Sequence, residues 1–85
     1  MGAFHFQVDR IHRVLEPIVF NLSLAPSAQT RTLEPGQQIV YRGTVELANQ
    51  VHLVFDQAEK RLYTSHVDRV RQCLMQDTEA LPHYG

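Results

Sequence analysis

Apolar and polar residues alternate over most of the chain. Between residues 18 and 24, Ile18, Phe20, Leu22 and Leu24 alternate with Val19, Asn21 and Ser23, the two-residue period of a strand with one buried face. The same period returns at 39–47, where Ile39, Tyr41, Val45 and Leu47 form one set and Val40, Arg42, Thr44 and Glu46 the other. Gly43 interrupts the first set, and glycine inside a strand permits a sharp bend, which makes it the pivot of this segment. Residues 48–50 turn the chain, 51–55 return, 56–60 make a polar turn, and 61–65 and 67–74 supply a fourth and a fifth strand. Ahead of these strands, Phe4, Val8, Ile11 and Leu15 recur at helical spacing, so the pattern predicts a short N-terminal helix whose stripe covers one end of the β structure. Glu16-Pro17 ends it, because proline has no N–H to donate and disfavours helical geometry in the residue before it.

Residues 25–38 are polar and bracketed by Pro26 and Pro35-Gly36, the latter pair suiting the central positions of a type II turn. Residues 30–33 are the place for a short additional strand inside this long connection. The whole pattern predicts a mainly β domain over residues 1–75, a small, bent, five-stranded antiparallel barrel with an N-terminal α-helix, followed by a tail at 76–85.

Composition narrows the function classes. A hydrophobic fraction of 44% with 20% charged residues belongs to a folded domain rather than a disordered one. Eight Lys plus Arg against nine Asp plus Glu give a formal net charge of −1, which argues against a broad basic face for duplex DNA. The single cysteine, Cys73, can form neither an intramolecular disulfide nor a cysteine-rich zinc site, and a cytoplasmic location is the expectation. The pattern predicts no membrane span and no secretory leader. At 85 residues only about 60–65% of the unfolded surface can be buried, so association with further copies of the chain would add stability.

The segment 39–70 resembles the Sm-like family, and in particular its bacterial Hfq branch. The resemblance rests on Gly43, the apolar Val45 and Glu46, the Asn49-Gln50 turn, a second apolar strand, and Tyr63-Thr64-Ser65-His66-Val67 with Val70 beyond it. It covers less than half of the chain. What it implies is a ring of subunits pairing fourth and fifth strands, with single-stranded RNA threaded past two turns that line the opening. Carried over residue by residue, Asn49, Gln50, Thr64, Ser65 and His66 would form the RNA site. Thr64 and Ser65 stand where the family has a lysine and a histidine, and Val51 replaces a base-stacking aromatic. Removing a stacking platform costs roughly 1–3 kcal/mol per base, so binding is expected to be weak.

Other residues carry less. Arg10 and Arg13 fall three apart on the predicted helix and are candidates for phosphate contact. His5, Asp9 and His12 would share one helix face, but with no fourth ligand a solvated face is the expectation, and no metal or other cofactor is predicted. Cys73 has no evident activating partner and no phosphate-binding glycine loop is present, so an enzyme is not expected. Two readings stand: a divergent Sm-like module for single-stranded RNA, and a non-catalytic protein-interaction or assembly module that keeps the Sm-like fold. Both imply a homo-oligomer as the expected state.

Overall fold

A computed structural model describes residues 7–76. In chain order its elements are β1 (Ile11–Val14), β2 (Ile18–Asn21), β3 (Thr30–Leu33), β4 (Gln38–Leu47), β5 (Gln50–Gln57), β6 (Lys60–Thr64), α1 (Val67–Cys73) and β7 (Leu74–Gln76). The strands form one antiparallel sheet in the order β3-β2-β6-β5-β4-β1-β7. A mainly β chain was legible from the alternation. The closed five-stranded barrel is corrected: among the described residues no ladder joins β3 to β7, and the sheet is open. Closure needs each strand to find a staggered neighbour on both sides. Here β2 meets β6 only through Asn21 opposite Tyr63, and the chain after β6 becomes helical instead of continuing the sheet.

The predicted N-terminal helix is replaced, within the described residues, by a turn and a strand. Asp9 has φ +68, a left-handed conformation that breaks a helix, and β1 pairs with β4 on one side and β7 on the other. Burial falls on His12 and Val14, while Val8 and Leu15 of the expected stripe are exposed. β-Branched Ile11 and Val14 suit the pleated position that tertiary pairing imposes. Phe4 and His5 lie outside the described residues.

The predicted fifth strand at 67–74 is also corrected, to a helix leading into a three-residue strand. Val67, Val70 and Cys73 recur every third residue, so one face of α1 meets the sheet: Val70 and Cys73 are fully buried and Val67 packs against them. Leu74 then adopts extended backbone, and β7 returns beside β1. The Cys73 carbonyl accepts from Leu15 N–H at 2.6 Å, and the Arg69 guanidinium donates to the Pro17 carbonyl at 3.1 Å, so α1 is fastened to the β1–β2 connection.

The long connection is ordered by its own strand. β3 pairs with β2 from Ile18 opposite Leu33 to Asn21 opposite Thr30, as expected for residues 30–33. Pro35-Gly36 forms the turn back, with Gly36 at φ +96 and Gln37 N–H donating to the Glu34 carbonyl at 3.1 Å. Phe20, Leu33, Ile39, Tyr41, Phe55 and Leu62 fill the core together with Val14, Leu53, Val70 and Cys73, and the Phe20 and Phe55 rings meet edge to face at 5.4 Å.

β4 carries the main irregularity. Tyr41 lies opposite Phe55 and Gly43 opposite Val54, so Arg42 is an extra residue, a β-bulge, and Gly43 has φ +106. One inserted residue reverses the alternation. Ile39 and Tyr41 face the core, but beyond the bulge Thr44 and Glu46 lie opposite Leu53 and Val51 on that side, and Val45 and Leu47 turn to the other face. The expectation that Ile39, Tyr41, Val45 and Leu47 share one face is therefore wrong, although Gly43 does mark the bend. A Cβ built on Gly43 would meet only Val8 Cγ2 at an ordinary 3.8 Å, so the requirement for glycine is the backbone conformation rather than space. Gly43→Ala is expected to cost about 1–2 kcal/mol for holding a Cβ in left-handed backbone. Gly43→Val is expected to cost about 1–3 kcal/mol. Urea unfolding of both variants tests this, and an unchanged midpoint for Gly43→Val would remove the bulge's need for glycine.

His12 is wholly buried, edge-on to the rings of Tyr41 and Phe55, and desolvation lowers its pKa from 6.5 to about 4. The neutral ring is thus the form the fold accommodates. Unfolded chains take up a proton near pH 6.5 and the folded chain only near 4, so this contribution is complete above pH 6.5 and is lost as pH falls towards 4. The loss is expected to approach roughly 2–3 kcal/mol. Urea midpoints between pH 7 and pH 4 should fall more steeply for the wild type than for His12→Leu; parallel slopes would exclude His12 as the source.

Candidate interaction surface

β4 and β5 outrun their neighbours. β1 accompanies β4 only as far as Ile11 opposite Val40, with two further bonds between the backbones of Asp9, Arg10 and Tyr41. β6 accompanies β5 only from Lys60 to Thr64, ending opposite Leu53. Beyond those points residues 43–47 and 50–52 pair with each other and, among the described residues, with no third strand. The result is a projecting two-stranded ribbon. Its tip is a two-residue loop in which Ala48 and Asn49 both have positive φ (+54 and +65), the geometry of a tight hairpin turn whose twist matches that of the strands.

The ribbon exposes apolar side chains on both faces. Val51, on the core side, is 48% exposed, and Leu47, on the other side, is 49% exposed. Below Val51 the sheet and α1 enclose an open concavity of about 740 Å³, lined by Tyr41, Thr44, Val51 and Leu53 from the ribbon and by Ser65, His66, Val67, Asp68, Arg69 and Arg71. A smaller concavity of about 430 Å³ lies on the opposite face, lined by Leu24, Arg42, Thr44, Val45, Val54, Arg61 and Tyr63.

The residues singled out from the sequence do not converge. Ser65 and His66 line the larger concavity. Thr64 is buried, and its hydroxyl oxygen accepts from His66 N–H at 3.1 Å, a structural role that shapes the exit from β6. Asn49 and Gln50 sit exposed at the ribbon tip, outside the concavity wall, with Asn49 supplying left-handed turn geometry. Arg10 precedes β1 and Arg13 lies within it, and β4 and β5 intervene between that strand and β6. Sequence reasoning missed Leu47 and Val51, whose signal was a pair of large apolar residues flanking a tight turn. It also missed Arg69 and Arg71, which reach the site only because 67–73 is a helix. The solvated helix face expected for His5, Asp9 and His12 is corrected within the described residues: His12 is in the core of the sheet, and Asp9, in a turn, is bonded to Arg42.

Cations around these surfaces are matched by carboxylates. Arg42 reaches Asp9 at 2.6 Å and Asp56 at 3.2 Å, and Arg61 grips both Asp56 oxygens at 2.9 and 3.2 Å. The Arg61 hydrogen bond, aided by the charges of Arg61 and Arg42, holds the Asp56 carboxyl below its usual range despite some desolvation. Arg71 faces Asp68 at 3.5 Å, and Arg69 approaches Glu16 at 3.8 Å. No phenylalanine or tyrosine is exposed among the described residues: Phe20, Tyr41 and Phe55 are buried and Tyr63 is half-buried. Burial likewise pushes the Cys73 thiol up, away from the thiolate form that a nucleophile needs. No helix of the described residues is long and apolar enough to cross a membrane. No family model, curated protein or solved structure matches the chain.

Proposed function

We propose that this chain is a non-catalytic protein-interaction module that presents the β4–β5 ribbon to another polypeptide. The observation that carries the reading is the pair of ribbon edges, 43–47 and 50–52, that find no neighbouring strand among the described residues and are flanked by exposed Leu47 and Val51. Isolated two-stranded hairpins are marginal in water, and an open strand edge is a template for a further strand, so a ribbon projecting with apolar side chains is completed by a partner. On this reading the Sm-like resemblance is one of local hairpin chemistry in β4–β6: the Gly43 bend, Glu46 and the Asn49-Gln50 turn.

Binding of single-stranded RNA is the second reading. Its support is the placement of Ser65, His66, Arg69 and Arg71 around one concavity, with hydroxyl, imidazole and guanidinium groups suited to phosphate and base edges. It ranks second because the arginines already face carboxylates and no phenylalanine or tyrosine is exposed among the described residues to stack a base.

A photoreactive phenylalanine analogue at Leu47 is expected to give covalent adducts with polypeptide in cells producing the protein, while the same group at Thr32 on β3 gives none. Adducts with RNA would reverse the ranking. Absence of any adduct at Leu47 would sink the interaction reading. Fluorescence anisotropy with uridine-rich and adenine-rich oligomers at two salt concentrations completes the comparison. Saturable binding that Asn49→Ala with Gln50→Ala weakens, fold intact, would establish the RNA site.

A further inference from the structure

We propose that the partner of the β4 edge is a second copy of this chain, paired antiparallel about a two-fold axis at Val45. The proposal rests on the interaction-module reading and names its occupant. A two-fold axis perpendicular to a sheet sets residues of the same face opposite one another, so the axis must pass through a residue of the edge. The stretch that is open among the described residues, 43–47, leaves few such residues. An axis at Thr44 would bring Leu47 of the second copy against Tyr41, whose N–H and carbonyl already bond to Arg10 and Asp9. An axis at Glu46 would set two carboxylates side by side, a destabilising pair. An axis at Val45 uses the whole open stretch and nothing else.

In that register the side chains complement one another. Leu47 of the second copy lies opposite Gly43, where the missing side chain leaves a seat whose nearest neighbour is Val8 Cγ2, 3.8 Å from the Cβ position. Val8 is 55% exposed and Leu47 49% exposed, so the contact covers both at each end of the interface. Val45 meets Val45 on the axis. On the other face, each Thr44 hydroxyl lies opposite a Glu46 carboxylate to which it can donate.

The outer edge of β3 lacks these features. Thr30, Thr32 and Glu34 are exposed there, and Arg31 is hydrogen-bonded to Gln57 at 3.2 Å, the polar dressing that keeps an edge strand from pairing. The open edge of β5 spans only residues 50–52. Of these three edges, that of β4 is the best equipped for self-association. A five-residue edge is a small interface, so exchange between monomer and dimer is expected over the micromolar range.

Sedimentation velocity across low to high micromolar concentration should show a concentration-dependent monomer–dimer equilibrium. Leu47→Asp should raise the dissociation constant about tenfold or more, because its carboxylate would face Gly43 and Val8 unpaired, with the thermal midpoint of dilute protein unchanged. Directly opposed Cα atoms of an antiparallel pair lie about 4.5–5.5 Å apart, within disulfide reach. Val45→Cys should therefore oxidise to a covalent dimer and Thr32→Cys should not, a readout that survives if Leu47→Asp fails to fold. A concentration-independent monomer, or cross-linking through Thr32→Cys but not Val45→Cys, overturns the proposal. A monomer whose Leu47 photo-adducts contain a different polypeptide overturns the second copy alone and leaves the interaction reading standing; RNA adducts at Leu47 overturn both.

Discussion

One extra residue in β4, Arg42, followed by a glycine in left-handed backbone, sets the geometry on which the surface of this molecule depends. Before the bulge β4 belongs to the core, through Ile39 and Tyr41; after it, the strand leaves the core with its faces exchanged. The exchange takes Val45 and Leu47 off the core side and sends Thr44 and Glu46 there in their place. An unbroken strand would carry both apolar residues towards the larger concavity. The bulged residue is also tied down, since Arg42 bridges Asp9 from the N-terminal turn and Asp56 from β5. These are largely exposed ion pairs, each worth about 0–1 kcal/mol, so they steer the bend more than they stabilise the fold.

The other half of the design is how β1 is brought together with α1 and β7. α1 ends at Cys73 and hands the chain directly to β7, whose Leu74 lies opposite Val14 of β1. That pairing leaves β1 with neighbours on both sides and puts His12 into an aromatic setting between Tyr41 and Phe55. Ordering a helix and a strand from opposite ends of the sequence costs loop entropy, and the burial of Val70, Cys73 and Leu74 is what offsets it.

Much of the fold was legible because it is local. β2, β5 and β6 follow from alternation in a few residues, Pro35-Gly36 from turn chemistry, and Gly43 from the rarity of glycine inside a strand. β1 was not legible, because Ile11 and Val14 are three apart and fit a helix as well as a strand, and the pairing that decides between them comes from β4 and β7. The reverse holds for α1: Val67, Val70 and Cys73 spell a helical period, where the Sm-like resemblance implies a strand. The phase change in β4 was hidden for a third reason, since a glycine marks a bulge without saying which side its successors will face. The candidate site was legible only at the tip and at Ser65 and His66, because the concavity joins β5 to α1, and no local pattern reports that contact.

The β3 edge and the β4 edge are furnished differently, and the proposed role of the ribbon draws on that difference. A sheet with open ends risks indiscriminate pairing, and β3 carries Thr30 and Thr32 on its exposed positions, with the exposed Glu34 just beyond it. Had the same pressure acted on β4, a lysine or a proline at residue 45 or 47 would suffice, since neither position contributes to the core cluster. Instead valine and leucine stand there, near a glycine whose Cβ position would meet only Val8. A chain that dresses one edge with polar residues and the other with apolar ones treats the two differently, and that difference is what the proposed pairing at the β4 edge draws on.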